Sequence, residues 1–243
     1  MSLETSAILR VDGLVKQFGG FRALDGVSFS LAAGEVLGLV GPNGSGKTTC
    51  INVISGLYRP DDGEIYFDKR PIGGLASYRL VHAGINRTFQ VPRPFPTLTV
   101  RESVEIAIAY GRRHDGSVDA DALLAQVDLA VFRNQPATEL NSAQQKMLDL
   151  ARALATGPRL LLIDELAAGL NPSELDRIAG KLRELARSGI ALLVVEHLMG
   201  FIDQLTDRII VMNAGKEIFE GALAQAVKNS HVVEVFLGGE DAA

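Results

Sequence analysis

Gly41, Pro42, Asn43, Gly44, Ser45, Gly46, Lys47 and Thr48 have the types and spacing of a loop that wraps a phosphate group. In such a loop glycines let successive backbone N–H groups point into one concavity, and the following helix turns its positive end toward the anion. Lys47 would reach the β- and γ-phosphates and Thr48 would ligate Mg²⁺. Two more stretches end in groups that ligate or titrate. Leu160 to Ile163 is apolar and stops at Asp164 and Glu165. There Asp164 would hold Mg²⁺ through water, and Glu165 could accept a proton from a water aimed at the γ-phosphorus. Val194 and Val195 lead to Glu196 and His197, where a neutral imidazole could hydrogen-bond the γ-phosphate or the attacking water. Phe18, in the polar and glycine-containing stretch Lys16 to Gly20, could stack on adenine. Gln90 ends the expected strand Ile85 to Phe89 and begins a helical insertion, so its amide could reach Mg²⁺ or the attacking water while its backbone acts as a hinge.

These groups must be held by the runs that precede them. Glu35 to Val40 is a short apolar run ending at Gly41, Val27, Phe29 and Leu31 alternate with small or polar residues, and Ala191 to Val195 is apolar throughout, all strand patterns. A helix is expected from near Lys47, and Leu175, Ile178, Leu182 and Leu185 mark the apolar face of another. Strands alternating with amphipathic helices give an α/β fold, with a parallel sheet covered on both faces and ligands at the carboxyl ends of its strands. Strand signals vanish between Gln90 and Thr156. A Pro-rich loop from Val91 to Pro96 is followed there by helical patterns over Val100 to Tyr110, Ala120 to Leu129 and Ala143 to Ala155. The expected organisation is an α/β core of residues 1–89 and 157–243 with a helical subdomain, 90–156, inserted in it.

Composition narrows the function classes. The 243 residues include 47% hydrophobic and 22% charged residues, enough apolar material for a sizeable core and unlike a disordered chain. With 24 Lys plus Arg against 29 Asp plus Glu, the net charge of -5 argues against nonspecific binding to nucleic acid or to anionic lipid. Cys50 stands alone, and no basic segment followed by an apolar one opens the sequence, so a reducing cytoplasm is expected. No apolar run approaches the roughly 20 residues that cross a bilayer, so a membrane role would go through another protein. His82, His114 and His231 form no ligand cluster and are expected at the surface.

The order of these pieces resembles the nucleotide-binding subunits of ATP-binding cassette transporters over nearly the whole chain. Phe18 matches the adenine-stacking position, Gly41 to Thr48 the Walker A loop, and Gln90 the Q-loop. Asp164 and Glu165 match Walker B with its catalytic glutamate, and His197 the switch histidine. Leu140, Asn141, Ser142, Ala143 and Gln144 occupy the place of the Leu-Ser-Gly-Gly-Gln signature and depart from it at three of five positions. Asn171 replaces the usual aspartate of the D-loop, and Leu166 the usual proline after the glutamate. Within the family, Arg87 to Gln90, Leu98 to Val100, Ala167 to Pro172 and Val235 to Gly239 look like the branched-chain amino acid uptake group.

The resemblance implies a P-loop NTPase core with an N-terminal antiparallel β subdomain and an ATPase using ATP and Mg²⁺. Thr48, Asp164 and Gln90 are its implied metal ligands. Glu165, His197 and Gln90 are its implied catalytic residues, and Thr49 joins the phosphate loop in nucleotide contacts. ATP would lie between this loop and the Asn141-Ser142-Ala143-Gln144 signature of a second cassette, in a homodimer or a heterodimer. Transmembrane permease subunits are the implied partners, with a solute-binding protein acting indirectly, at the cytoplasmic face of the inner membrane. Two other readings stay open: a soluble cassette ATPase unconnected with transport, and a nucleotide-dependent dimerisation switch with little hydrolysis.

Overall fold

In the computed structural model, which describes residues 7–88, 95–111 and 118–237, long alternating strands come first. β1 (Ala7–Phe18) and β2 (Phe21–Ala32) form an antiparallel hairpin turning at Gly19 and Gly20. They are followed by β3 (Val36–Val40), α1 (Lys47–Ile54), β4 (Asp62–Phe67), β5 (Arg70–Pro71), α2 (Ser77–Ala83) and β6 (Ile85–Arg87). A helical stretch follows, with α3 (Val100–Tyr110), α4 (Ala120–Gln126) and α5 (Ser142–Ala155). The chain then returns to alternation: β7 (Leu160–Asp164), α6 (Pro172–Arg187), β8 (Ala191–Val195), α7 (Met199–Leu205), β9 (Arg208–Asn213) and β10 (Lys216–Gly221). Two short helices close it, α8 (Leu223–Ala226) and α9 (Ser230–Leu237).

Two sheets result. One is antiparallel in the order β2-β1-β4-β5; the other has the order β10-β9-β3-β8-β7-β6. The second sheet is parallel except for β10, which folds back antiparallel on β9 after the tight turn at Ala214 and Gly215. The expectation of a parallel sheet is corrected at that edge, because a two-residue turn can only return the chain antiparallel. Its central strands are buried on both faces, and their side chains sort by the two-residue period of a strand. Leu37, Leu39, Leu160, Leu162, Leu193 and Ile210 pack with the antiparallel sheet and α1. Val36, Leu161, Ile163, Leu192, Val194 and Val211 pack with the helices on the opposite side.

Parallel register then aligns the strand ends. Leu39 lies opposite Val195, and Val195 opposite Asp164, so β3, β8 and β7 stop in one row. Whatever follows them emerges on the same edge.

Helix boundaries follow local capping. Thr99 and Asn171 cap α3 and α6 through reciprocal bonds with Glu102 and Glu174, and Pro172 opens α6 where its missing N–H costs nothing. The helix expected over Ala120 to Leu129 ends earlier, because Asp128 adopts a positive φ and the Leu129 N–H turns back to the Leu124 carbonyl. The helix expected from Ala143 starts one residue sooner, with Asn141 as its cap. Lys16 to Phe18, part of the polar stretch that holds the adenine-stacking candidate, is the end of β1. The strand expected over Ile85 to Phe89 is β6, Ile85–Arg87, and Phe89 and Gln90 lie outside the described residues. His82 and His231 are exposed, and His114 also lies outside the described residues.

Candidate functional site

β3 delivers the chain to Gly41, where the phosphate-loop pattern begins. A Cβ on Gly41 would sit 2.1 Å from the Met212 carbonyl oxygen, and one on Gly46, at φ +105°, would sit 2.5 Å from that of Ala23. The loop is wedged between β9 and β2, and only glycine admits that approach. The Lys47 ammonium lies across the loop, donating to the Gly41 and Pro42 carbonyls at 2.8 Å each and to Ser45 Oγ at 3.3 Å. Burial lowers its pKa, while the Glu165 and Asp164 carboxylates oppose that shift.

A cavity of about 260 Å³ opens over this loop. It is lined by Asn43, Gly44, Gly46, Lys47, Thr48 and Thr49, by Glu165 and His197, and by the aromatic rings of Phe18 and Phe21. Phe18 packs edge-on against Tyr58 with ring centroids 5.2 Å apart. Phe21, 62% exposed, was not among the sequence candidates; it faces Phe18 across the β1–β2 turn, a pairing that only the hairpin register reveals.

The other two strand ends supply the charged groups. Glu165 has φ +51°, a left-handed conformation uncommon for a residue with a side chain. Its Oε1 lies 2.8 Å from His197 Nε2, so the carboxylate and imidazole form one hydrogen-bonded pair. Asp164 is 2% exposed and its Oδ2 is 3.3 Å from Arg87 Nη2. Burial pushes the Asp164 carboxyl up from the usual range, with the Arg87 guanidinium pulling against it. Arg87 is fixed in turn by Asn52 Oδ1 at 2.6 Å and Ser55 Oγ at 3.1 Å. Asp164 Oδ1 is buried with no hydrogen-bond partner among the described residues. That orphaned oxygen and the Thr48 hydroxyl are the hard oxygen donors that Mg²⁺ takes, so the residues present fit the metal.

Three further groups, to which the sequence reading gave no role in the site, brace this edge. Arg87 pairs with Asp164 as described, Glu196 Oε1 accepts the Ala167 N–H at 2.7 Å, and Lys146 of α5 donates to the turn after Asp164. Burial pushes the Glu196 carboxyl up, and the Ala167 and His197 N–H groups offset part of that. A charged residue inside an apolar helix face or at a strand end was the available signal.

The structure does not bring Asn141, Ser142, Ala143 and Gln144 to the phosphate loop. Asn141 Oδ1 accepts the Gln144 N–H and Gln144 Oε1 accepts the Asn141 N–H, each at 2.9 Å, a reciprocal cap at the start of α5. Asn141, Ala143 and Gln144 line a separate cavity of about 250 Å³ with Met147, Glu174 and Arg177, which shares no residue with the first.

A glycine loop between a parallel strand and a helix, a buried lysine, and carboxylates at the end of β7, two strands along the same sheet, define a P-loop ATPase that binds nucleotide. More narrowly, the chain belongs to the ABC transporter family, whose profile matches residues 24–168. It is 36% identical to a probable branched-chain amino acid transport ATP-binding protein of Methanocaldococcus jannaschii, over 97% of this chain and 99% of that one. It is 34% identical to the high-affinity branched-chain amino acid transport ATP-binding protein of Pseudomonas aeruginosa, over 95% and 98%. The fold superposes with a TM-score of 0.85 on the ADP conformation of an ATP-binding cassette of an ABC transporter, 35% identical, covering 96% of this chain and 100% of that one.

Proposed function

We propose that this ATPase powers the uptake of branched-chain or other hydrophobic amino acids through membrane permease subunits. The observation that carries the solute class is the near full-length likeness to proteins named for branched-chain amino acid transport. No helix among the described residues is long and apolar enough to cross a membrane, so the association with the inner membrane's cytoplasmic face would run through the permease. In this reading residues 90–156 meet the permease, while 1–89 and 157–243 bind nucleotide. The solute-binding protein acts indirectly, and nucleic acid has no part.

Phe18 and Phe21 stack the adenine, and the N–H groups of the Gly41–Thr48 loop and the Lys47 ammonium hold the phosphates. Thr48 and Asp164 are the residues of the described chain that would hold Mg²⁺, with Gln90 as a third; bound there, the ion would neutralise charge on the β- and γ-phosphates. Glu165 takes the proton from the attacking water, and His197, bonded to the same carboxylate, fixes its direction. The Asn141 cap of a second cassette, identical or related, closes over the γ-phosphate. Likeness to a dimeric cassette holding ADP and phosphate, 28% identical with a TM-score of 0.79, supports this pairing.

The test is reconstitution with the permease subunits and solute-binding protein in lipid vesicles. ATP hydrolysis stimulated by leucine, isoleucine or valine, and not by a charged amino acid, is the expected result; equal stimulation by both rejects the solute class. Hydrolysis indifferent to the permease favours a soluble ATPase, and tight nucleotide-dependent dimers without turnover favour a switch.

A further inference from the structure

Lys146 is a buried lysine whose three ammonium protons all go to backbone. It lies in α5, five residues after the Asn141 cap, and is 6% exposed. Its Nζ donates to the carbonyls of Glu165 at 3.1 Å, Leu166 at 3.1 Å and Ala168 at 2.5 Å. The remaining carbonyl of that turn, on Ala167, accepts the Leu170 N–H. On the donor side, the Glu165 N–H goes to the Val195 carbonyl and the Ala167 N–H to the Glu196 carboxylate. The turn is thus gripped from β8 through Val195 and Glu196, and from α5 through one ammonium.

The grip falls on a residue whose backbone needs it. Glu165 sits at φ +51°, and its carboxylate must meet His197 Nε2 at 2.8 Å. A left-handed residue with a side chain persists when its surroundings over-determine it, and the Lys146 bonds to the carbonyls at and after Glu165 do that. A hydrophobic helix face would have been satisfied by Met or Leu, as at Met147 and Leu150. Placing an ammonium there carries a desolvation cost that three carbonyls and two nearby carboxylates, Glu196 and Glu165, must offset.

We propose that Lys146 is a positioning residue for hydrolysis: its ammonium ties the helix that begins at Asn141 to the backbone of Glu165 and so sets the catalytic carboxylate. The inference rests on the reading of Glu165 as the general base. It adds a link within one chain. The start of α5 serves the nucleotide of the opposite cassette, while Glu165 serves this chain's own, so a shift of α5 on closure reaches the Glu165 backbone through the Lys146 ammonium.

The test is a kinetic cycle on the full chain: parent, Lys146→Met, Lys146→Arg, Glu165→Gln and the double variant carrying Lys146→Met with Glu165→Gln. Lys146→Met is expected to lower kcat about 10- to 10²-fold, the cost of a misplaced catalytic group. The KM for ATP should stay within about twofold, because Lys146 does not itself line the nucleotide cavity and meets it only at the Glu165 backbone. Lys146→Arg should restore most of kcat by supplying donors to the same carbonyls. Added to Glu165→Gln, Lys146→Met should slow single-turnover hydrolysis no further, since both act through one group. An unchanged kcat, a loss confined to KM, or losses that multiply in the double variant overturns the proposal. If Lys146→Met melts too early to assay, Lys146→Gln, which keeps two donors, takes its place in the same cycle. A Glu165→Gln chain at the parent rate overturns the Glu165 assignment and this link with it. A slow Glu165→Gln chain beside a fully active Lys146→Met chain overturns the link alone.

Discussion

At the phosphate-loop end Gly41, Asp164, Glu165 and His197 ride on or just past the last residues of buried strands and Lys47 and Thr48 open α1, whereas at the Asn141 end the groups all ride on the first turn of a helix. Gly41, Asp164, Glu165 and His197 follow β3, β7 and β8, whose register fixes them in one row. Asn141 and Gln144 bind each other's backbone, and α5 itself offers no partner to the N–H groups of Ser142 and Ala143. The first end gathers a carboxylate bonded to an imidazole, a buried cation and a carboxylate oxygen without a partner among the described residues, all within one chain. The second presents two donors and a cavity, which is half of an anion site. Strand ends joined to a helix start bring unlike groups together within one chain; a helix start by itself can only lend donors to a ligand brought by something else.

The largest separation between the two ends should come from Glu165→Gln, which keeps nucleotide binding and slows hydrolysis by about 10²-fold or more, as removal of a general base does. Single-turnover hydrolysis beside a calorimetric titration reads both quantities, and a parent-like rate would shift the role to His197 or Gln90. Lys47→Ala should act on binding instead. Losing charge-assisted bonds to phosphate weakens ATP affinity by about 10- to 10²-fold. Asn141→Ala, by contrast, should leave the affinity of the isolated chain unchanged and lower its stability by about 1 kcal/mol through loss of the α5 cap. If calorimetry shows both variants losing affinity alike, the two ends are not separate. A smaller effect belongs to the aromatic pair: Phe21→Ala and Phe18→Ala should each weaken ATP binding roughly fivefold, the scale of one base stacked on one ring. A loss seen only for Phe18→Ala, whose ring is braced by Tyr58, would leave Phe21 outside the adenine contact.

Most of the first end was legible in sequence because its groups sit next to apolar runs, so one linear pattern carries both the strand and the residue it positions. Leu160 to Glu165 reads as a strand and a pair of carboxylates at once, and the parallel sheet follows from the alternation. Partners contributed from elsewhere were not legible. Arg87 reaches Asp164 across 77 positions of sequence, and Lys146 reaches Glu165 across 19, from a helix whose burial depends on packing the sequence does not state. Phe21 was hidden because only the hairpin turn at Gly19 and Gly20 sets it opposite Phe18, and the polar, glycine-containing stretch Lys16 to Gly20 does not state that register. Asn171 reads as a departure from the family's aspartate, yet it accepts the Glu174 N–H at 3.0 Å, a capping bond aspartate would also make.

The smallest and most discriminating effect concerns the altered signature, Asn141, Ser142 and Ala143. Ser142 and Ala143 are ordinary residues of the first turn of α5, and neither has a positive φ, so α5 itself gains nothing from glycine there. Replacing both with glycine costs roughly 0.5–1 kcal/mol each in chain entropy. A β-carbon beside an outward N–H, however, keeps a phosphate oxygen farther from that donor than glycine would. Stability and rate therefore move in opposite directions. The combined variant Asn141→Ser, Ser142→Gly, Ala143→Gly should melt lower and hydrolyse ATP several-fold faster, since a γ-phosphate donor is worth up to about 10²-fold or more in rate. A rise in the assembly with a related second cassette, and none in the homodimer, would mark this chain as the weak-signature member of an unequal pair. A lower melting temperature with no gain in either preparation would mean that backbone shifts around Ala143 already accommodate the phosphate.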